Sequence, residues 1–287
     1  MTTFLRRNWI SAIVIVALIV GWEVAGHLAP KSPLRESPIV PPWEFVFGRA
    51  IIGLSDYWKF PFWAPVPELG GEQTLLGAGL AVGYHSLLTL YRLVLGLLVG
   101  AVGGVALGLA VSRSPLARAL LGPSLHLVRT CPLLAMTPLF QFWLGGTNLA
   151  AILFVAYGVG VIYLVGTINA VANVPVKFIE SALTMGATKS MVYRAVVLPA
   201  ILPELFSSIF LTLGLAWSAV IGAEYIGVDS GIGRMIIWSE YFSNTGRIAA
   251  ITILIIVYAF ASYAVCRRVQ RRMLRWHPQA DRSLAAI

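Results

Sequence analysis

The chain has 287 residues, of which 58% are hydrophobic and only 11% are charged, and its mean hydropathy is +0.82. Soluble domains carry about 25% charged residues, so this composition excludes an ordinary soluble protein and indicates one that lies in a lipid bilayer. The net charge of +9 does not indicate a nucleic-acid partner. The basic residues cluster at the ends of apolar segments and are not interleaved with aromatic residues on a polar domain.

Six segments are apolar and long enough to cross a bilayer, which takes about 20 residues in a helix. They are 9–29, 87–111, 124–144, 148–172, 203–225 and 247–266. We therefore predict an all-α, polytopic membrane protein with six transmembrane helices. The first segment contains Val24-Ala25-Gly26, which could also serve as a signal-peptidase site. We expect a retained helix, because six spans give a consistent distribution of charge.

The distribution of lysine and arginine predicts the orientation of these spans. With the N-terminus in the cytoplasm, the cytoplasmic segments carry about twice as many basic residues as the opposite side. This bias predicts that both termini are cytoplasmic. The chain then divides into an N-terminal transmembrane helix (1–29), an outer-face loop (30–86), a core of five transmembrane helices (87–266) and a basic cytoplasmic tail (267–287).

The outer-face loop contains an amphipathic stretch after Pro41-Pro42. In residues 43–54, WEFVFGRAIIGL, apolar positions recur at helical spacing. Aromatic residues crowd the following stretch, 57–63, at a density typical of the lipid–water interface. The loop therefore predicts an interfacial helix with a packed loop, or alternatively a docking surface for an extracytoplasmic partner.

The second span carries a glycine at every fourth position: Gly96, Gly100, Gly104 and Gly108. Small residues at this spacing let membrane helices approach closely, so this ridge predicts tight packing against another helix. Such a ridge is common in membrane bundles and does not indicate a particular function.

The third span contains residues that are unusual in a bilayer. Pro132 and Pro138 each remove a helical hydrogen bond, which would free the carbonyls of Val128 and Leu134 toward protein or a water-filled cavity. Arg129 costs about 2.5–3.5 kcal/mol at a helix centre, so it must snorkel, pair or line a wet path. Two interpretations stay open. Either Arg129 is solvated near the cytoplasmic interface, or the helix lines a pathway that favours anionic solutes.

The polar stretch Glu180–Pro199, ESALTMGATKSMVYRAVVLP, separates two apolar spans. Pro175 suits the first turn of a helix, Gly186 tolerates the left-handed conformation that ends one, and Thr188 can cap the next. We predict a short helix, a glycine turn and a second short helix that stops at Leu198-Pro199, all lying along the cytoplasmic surface. Such an insert would face a soluble partner, although an ordinary connector is the alternative.

Glu224 closes the fifth span, before the turn at 230–233. It is either a carboxylate solvated near the outer interface or part of a solute pathway. We include it in a candidate pathway together with Gln141 of the third span and Trp217 of the fifth.

The chain lacks the sequence motifs of common enzyme sites. No lysine lies in GxxxxGK[ST], and we find no HExxH, no GxSxG and no His/Cys cluster at metal-ligand spacing. We therefore predict no enzyme activity, cofactor or metal site in this chain. If ATP powers its function, a different subunit binds the nucleotide. Cys131 and Cys266 lie in apolar segments and are expected to pack rather than to form a disulfide.

The stretch Glu180–Pro199 resembles the "EAA" cytoplasmic loop of ATP-binding-cassette (ABC) importer permeases, with Gly186 and Leu198-Pro199 at the matching positions. Other runs are similar to the branch of these permeases that serves nitrate, sulfonate, taurine, bicarbonate and related solutes. They are Arg129-Thr-Cys-Pro132…Pro138, His85…Arg92, Gly222-Ala223-Glu224 with Gly231-x-Gly233, and Arg275-Trp276-His277. The resemblance covers roughly 35–60 and 84–277.

The resemblance implies a type I ABC importer permease of the bacterial inner membrane that works by alternating access. The implied partners are two ABC ATPase subunits that bind ATP and Mg²⁺, a second permease copy, an extracytoplasmic solute-binding protein and membrane lipid. The ATPase-coupling residues would be Glu180, Ser181, Ala182, Gly186, Ala187, Lys189, Leu198 and Pro199. The candidate pathway residues are Arg129, Pro132, Pro138, Gln141, Trp217 and Glu224.

Two features depart from the family pattern. Residues 61–83 look like an insertion in the outer loop, and Thr130-Cys131 replaces the usual proline-rich pair. Both bear on the solute rather than on ATPase coupling, and Arg129 with the basic net charge favours a small anion. A stand-alone secondary transporter or channel is the main alternative, although it would need an intramembrane carboxylate or a repeated half. A membrane scaffold or an enzyme is a further one.

Overall fold

The computed structural model describes residues 2–29 and 37–275. Every regular element in this part of the chain is helical, as predicted. The chain forms two compact units. The first unit holds the chain up to Leu87 together with Ser230–Ile256, and the second holds Leu88–Asp229 together with the chain from Val257.

The helices are numbered in chain order. They are α1 (Thr2–Leu28), α2 (Leu75–Arg113), α3 (Pro115–Thr130), α4 (Thr137–Leu144), α5 (Asn148–Ala172), α6 (Val176–Thr184), α7 (Lys189–Val192), α8 (Leu198–Ile226), α9 (Ile232–Tyr241) and α10 (Thr245–Met273). Shorter helical pieces are Trp43–Phe45, Val46–Ala50, Ile51–Gly53, Leu54–Tyr57, Pro67–Leu69, Leu133–Met136 and Tyr193–Val197.

Several of these helices are suited to a membrane. Among the described residues, four are long and apolar enough to cross it: Leu75–Arg113, Asn148–Ala172, Lys189–Ile226 and Thr245–Met273. The bent pair of α3 and α4 raises the number to five if it forms one span, and α1 contributes a shorter apolar stretch. A helical protein with four or five helices long and apolar enough to cross a membrane is therefore confirmed for the described residues, whereas the count of six transmembrane helices stays a prediction.

In the first unit, α1 is tied to the residues after it by hydrogen bonds. The Trp22 indole donates to the Pro41 carbonyl at 2.8 Å, and the Trp43 backbone N–H donates to the Glu23 carboxylate at 2.8 Å. Residues 43–57 are helical throughout, which confirms the helix predicted over 43–54. Its position at the membrane interface and its role in docking stay predictions.

A second set of contacts holds the first unit together further along the chain. Arg247 pairs with Asp56 at 2.6 Å, and the Tyr57 hydroxyl lies 2.7 Å from the Ser239 hydroxyl. Burial raises the pKa of Tyr57. The backbone N–H of Gly231 donates to Nδ1 of buried His85 at 2.8 Å.

Helix α2 begins at Leu75 rather than at residue 87, so the last part of the predicted insertion 61–83 is helical. Three glycines make residues 75–83 resemble a loop, yet two features favour a helix. The Thr74 hydroxyl accepts a hydrogen bond from the Gly77 N–H at 3.0 Å, which caps the helix. Ala81 is fully buried in a cluster with Trp58, and this packing favours the helical start.

In the second unit, the glycine ridge of α2 packs against α5, as predicted. A Cβ on Gly96 would lie 2.6 Å from Val155, and one on Gly108 would lie 2.7 Å from Thr167. Because both contact positions advance in the same direction, the two helices run parallel here. The faces are too close for any residue larger than glycine without a shift of the neighbour.

The third predicted span is two helices rather than one interrupted helix. The chain bends by 91° at Cys131-Pro132, between α3 and the helical stretch Leu133–Leu144 that contains α4. Pro138 lies in the first turn of α4, where a missing N–H costs no helical hydrogen bond. The carbonyl of Leu134 is not free as predicted, because the Thr137 hydroxyl donates to it at 2.8 Å.

Candidate functional site

Residues 175–199, called here the 175–199 segment, begin with α6 and turn at Gly186. The φ of Gly186 is +82°, in the left-handed region that glycine adopts at little cost. Its N–H donates to the Leu183 carbonyl and the Ala187 N–H donates to the Ala182 carbonyl, both at 3.0 Å. This pair of bonds is a Schellman cap, and the predicted glycine turn is confirmed.

The second helix of the segment starts as predicted but does not stop as predicted. The Thr188 hydroxyl accepts a hydrogen bond from the Met191 N–H at 3.3 Å and caps α7. The chain then continues through the π-helical turn Tyr193–Val197, so that one helix runs over Lys189–Ile226. The predicted stop at Leu198-Pro199 is wrong, because a wider π turn just before the proline accommodates its ring and its missing N–H.

The proposed ATPase-coupling residues differ in exposure. Glu180, Ser181, Gly186 and Lys189 are exposed, Ala187, Leu198 and Pro199 are half-buried, and Ala182 is buried. Between the exposed polar side chains lie apolar ones, including Phe178, Leu183 and Met185, of which Met185 is 82% exposed. Exposed apolar groups rimmed by polar residues are typical of protein contact surfaces.

A shallow cavity of about 330 Å³ lies in the Gly186 turn. Its walls are apolar side chains of alanine, valine and methionine, among them Ala182, Met185, Ala187, Val192 and Ala195. The Schellman cap and the Thr188 cap fix the backbone around it. The arrangement is therefore a pre-formed concave surface that can receive an apolar side chain.

A second cavity, of about 300 Å³, lies among α3, α5 and α8 in the second unit. Its lining is mostly apolar, with five polar side chains: Arg129, Cys131, Tyr157, Asn169 and Ser208. Arg129 is exposed. A cavity that combines apolar walls with a few polar groups is typical of small-molecule sites.

The structure does not bring the six candidate pathway residues together at this cavity. Of the six, Arg129 lines it. Gln141 instead lies with its Nε2 atom 3.5 Å from the Ala223 carbonyl. Trp217 is 5% exposed, and its indole donates to the Ser262 hydroxyl at 3.0 Å.

Glu224 is not solvated, so one of its two open interpretations is wrong. Its side chain is fully buried, and Arg92, also fully buried, donates to Oε1 at 2.6 Å. The Thr89 hydroxyl donates to Oε2 at 2.9 Å. Arg92 also donates through Nε and Nη2 to Oδ1 of Asn148, at 2.9 and 2.7 Å. Thr89, Arg92 and Glu224 are fully buried, whereas Asn148 is exposed. We call these four residues the buried network, after its buried ion pair; it joins α2, the start of α5 and the last turn of α8.

The energetics of the buried network differ from those of a surface pair. Removing one partner of a buried ion pair leaves an uncompensated charge and costs about 3–5 kcal/mol. Glu224 also lies near the C-terminal end of α8, where the helix dipole disfavours a carboxylate. Arg92 therefore offsets two unfavourable effects on the Glu224 carboxylate: its burial away from water and its position at the negative end of the α8 dipole.

Sequence analysis missed this network, although it had a signal. Arg92 and Glu224 are opposite charges inside apolar helices, and ionisable residues in a membrane usually pair with one another. The intervening 131 residues hid the pairing. Among the described residues, no group of three or more His, Cys, Asp or Glu side chains could hold a metal ion.

The comparisons with known proteins agree with these features. Residues 93–275, more than half of the chain, match the family described as binding-protein-dependent transport system inner membrane component. A Bacillus subtilis (strain 168) protein named for aliphatic sulfonates transport, the permease protein SsuC, is 31% identical over 246 residues, which are 86% of this chain and 87% of that protein. The taurine transport system permease protein TauC of Escherichia coli (strain K12) is 30% identical over 227 residues, covering 77% of this chain and 82% of TauC.

A solved structure has the same fold. A chain of the MetNI methionine ABC transporter, in an inward-facing conformation, superposes with a TM-score of 0.55 and 22% identity, covering 65% of this chain and 93% of that one. At this identity the likeness bears on the fold alone. Together with the family match, it leads to one conclusion: this chain belongs to the family of binding-protein-dependent transport system inner membrane components.

Proposed function

We propose that this chain is the transmembrane permease subunit of an ATP-driven ABC importer and that it forms the path of the solute. The observation that carries the proposal is the 175–199 segment, whose glycine turn is exposed and capped on both sides. Family membership supports it. The chain acts as a transport subunit, and ATP with Mg²⁺ binds to partner ATPases rather than to it.

The proposed contact with the ATPase is the Gly186 turn and the residues around it. Glu180, Ser181 and Lys189 offer charged and hydroxyl groups to a soluble partner, and the cavity bounded by Ala182, Gly186 and Ala187 offers an apolar recess. Leu198 and Pro199 follow the π turn, where the segment enters the membrane helix. We propose that ATP-driven movement of the ATPases enters this chain through these residues.

The proposed assembly contains two ATPase subunits, a second permease copy and an extracytoplasmic solute-binding protein. The permease has six spans, with the segment 175–199 and both termini in the cytoplasm of a bacterial cell. The excess of basic residues on the cytoplasmic side supports this orientation. The membrane is the inner membrane, as the family description states.

The proposed solute is a small molecule with an anionic group, such as a sulfonate, taurine or nitrate. Two relatives named for aliphatic sulfonates and taurine support this class, as does Arg129 at the 300 Å³ cavity. Pro132 lies in the bend between α3 and α4, next to Cys131 and Leu133 of this cavity, and Pro138 lies in the first turn of α4. Gln141, Trp217 and Glu224 act in the pathway by holding α8 against α4, α10 and α2, respectively.

The coupling proposal is tested by reconstituting the chain with its ATPase and its binding protein in liposomes. We expect Gly186→Pro and Glu180→Arg to abolish ATP-driven uptake, whereas Arg272→Glu, a charge reversal at an exposed residue outside the segment, leaves uptake unchanged. Uptake unaffected by both substitutions in the segment would contradict its role. Uptake driven by an ion gradient without the ATPase would instead support a secondary transporter.

The pathway proposal is tested through Cys131, which is exposed and lines the cavity with Arg129. In a Cys266→Ala chain, Cys131 is the single cysteine and can be modified with an anionic or a cationic methanethiosulfonate. Two charges about 4 Å apart interact by about 1 kcal/mol in water, which is about a fivefold change in rate. We therefore expect Arg129→Gln to slow anionic modification about fivefold and to speed cationic modification about fivefold, so that the ratio of the two rates falls about 25-fold. An unchanged ratio would remove Arg129 from the proposed anion path.

A further inference from the structure

The helix Lys189–Ile226 is attached to α2 near both of its ends, and the two attachments differ. At one end the buried network joins Glu224 to Arg92 with both side chains fully buried. At the other end the exposed Arg113 guanidinium lies over the Tyr193 ring, 4.9 Å from its centroid. The first contact is directional and dry, whereas the second is exposed to solvent.

The chemistry of the buried network argues against a purely stabilising role. Apolar side chains of the same volume would stabilise a buried position as well as an ion pair does, and often better. What the ion pair adds is geometry, because Arg92 makes directional bonds to Asn148 and Glu224 at once. These bonds fix the position and register of the last turn of α8 relative to α2 and α5.

The buried network also lies at the end of the Lys189–Ile226 helix that is farthest from the 175–199 segment. The helix that ends beside Glu224 starts in the 175–199 segment and is continuous over 38 residues, with the π turn Tyr193–Val197 near its start. A continuous helix that is displaced at one end slides as a rigid body if its other end is free, and tilts if its other end is held. A π turn is a common site of local adjustment, and here it lies at the end opposite to the buried network.

We infer that Arg92, Asn148 and Glu224 are positioning residues for transport. They hold the far end of the Lys189–Ile226 helix fixed, so that a displacement of the 175–199 segment tilts the helix and its cavity-lining face instead of sliding it past α2. This inference rests on the proposed function, since it assumes that an ATPase moves the 175–199 segment.

The test uses the full chain assembled with its ATPase in lipid nanodiscs, in a Cys266→Ala background. The readouts are ATP hydrolysis and the rate at which an anionic methanethiosulfonate modifies Cys131, with and without Mg-ATP and vanadate. The key variant combines Arg92→Met with Glu224→Leu, which removes both charges and keeps the site filled. We expect it to assemble and hydrolyse ATP, whereas the effect of nucleotide on Cys131 modification is lost.

Two further variants define the outcome. Arg92→Lys keeps the charge pair and is expected to retain part of the nucleotide effect. The double variant Asp56→Asn with Arg247→Gln removes an ion pair that lies outside the Lys189–Ile226 helix. We expect this variant to retain the full nucleotide effect on Cys131 modification.

The inference is overturned if the Met/Leu variant keeps the full nucleotide effect. It is equally overturned if that variant fails to assemble while the Asp56/Arg247 control assembles, since the network would then be structural. If the chain with native Arg92 and Glu224 shows no nucleotide effect, the proposed function fails instead, so the two failures are distinguishable.

Discussion

The 175–199 segment and the buried network lie toward opposite ends of one helix and are built on opposite principles. The segment is held by local backbone and hydroxyl bonds, such as the caps at Gly186 and Thr188, and most of its side chains are exposed. The network consists of side chains from three helices, and its two charged members are fully buried.

This difference indicates where the chain can move and where it cannot. Local caps contribute about 1 kcal/mol each and can re-form after a displacement. The two charges of a buried ion pair are shielded from water and are stabilised by each other. If they separate inside the protein, neither is solvated, and their desolvation cost is no longer offset. An energy input at the segment would therefore deform the segment end before it separated the network.

Arg92→Ala should have the largest effect on stability. Loss of the guanidinium leaves Glu224 buried without its cation, and we expect the free energy of unfolding to fall by about 3–5 kcal/mol. Arg113→Ala, at the exposed end, should lower it by only about 0.5–1 kcal/mol. Thermal unfolding of the two purified variants in detergent measures both. Equal losses would break the contrast between the two ends.

Gly104→Ala should have the next largest effect on stability. It tests the close packing of α2 on α5, between the two ends that are compared above. The added methyl group would overlap the Gly160 carbonyl and lie 2.8 Å from Tyr163, so we expect a loss of about 1–3 kcal/mol. Gly103 has nothing within 4 Å of such a methyl, and Gly103→Ala serves as the matched control. Equal unfolding temperatures for the two variants would argue against close packing of α2 on α5.

Of the two strained glycine substitutions, Gly186→Ala should have the smaller effect on overall stability. Its φ of +82° costs an alanine about 1–2 kcal/mol, although the space around it is open. Gly166→Ala is the control, since Gly166 lies in open space inside α5 without a positive φ. We expect hydrogen exchange to quicken in the Gly186 turn of the first variant alone. Faster exchange throughout α8 would mean that the turn is not a local element.

Sequence reasoning succeeded where the determining residues are close together in the chain. The Gly186 turn, the Thr188 cap and the glycine ridge of α2 each depend on a few neighbouring residues, and the structure has all three. The helix over 43–54 was predictable from its apolar spacing for the same reason.

Sequence reasoning failed where another element of the structure alters the conformation that the local residues favour. Pro199 was expected to end a helix, but the π turn before it lets the helix continue. Residues 75–83 looked like part of a loop, but burial against Trp58 favours a helix. The pairing of Arg92 with Glu224 depends on how three helices meet, which no local pattern encodes.

The most direct test of the account is photocrosslinking from Met185, which is 82% exposed in the Gly186 turn. A photoreactive phenylalanine analogue at this position, in the chain assembled with its ATPase and binding protein, should link to the ATPase on irradiation. The same analogue at Trp63, 79% exposed in the predicted outer loop, should not. A link from position 185 to the binding protein, or to neither partner, would contradict the central claim that ATPase movement enters through this turn.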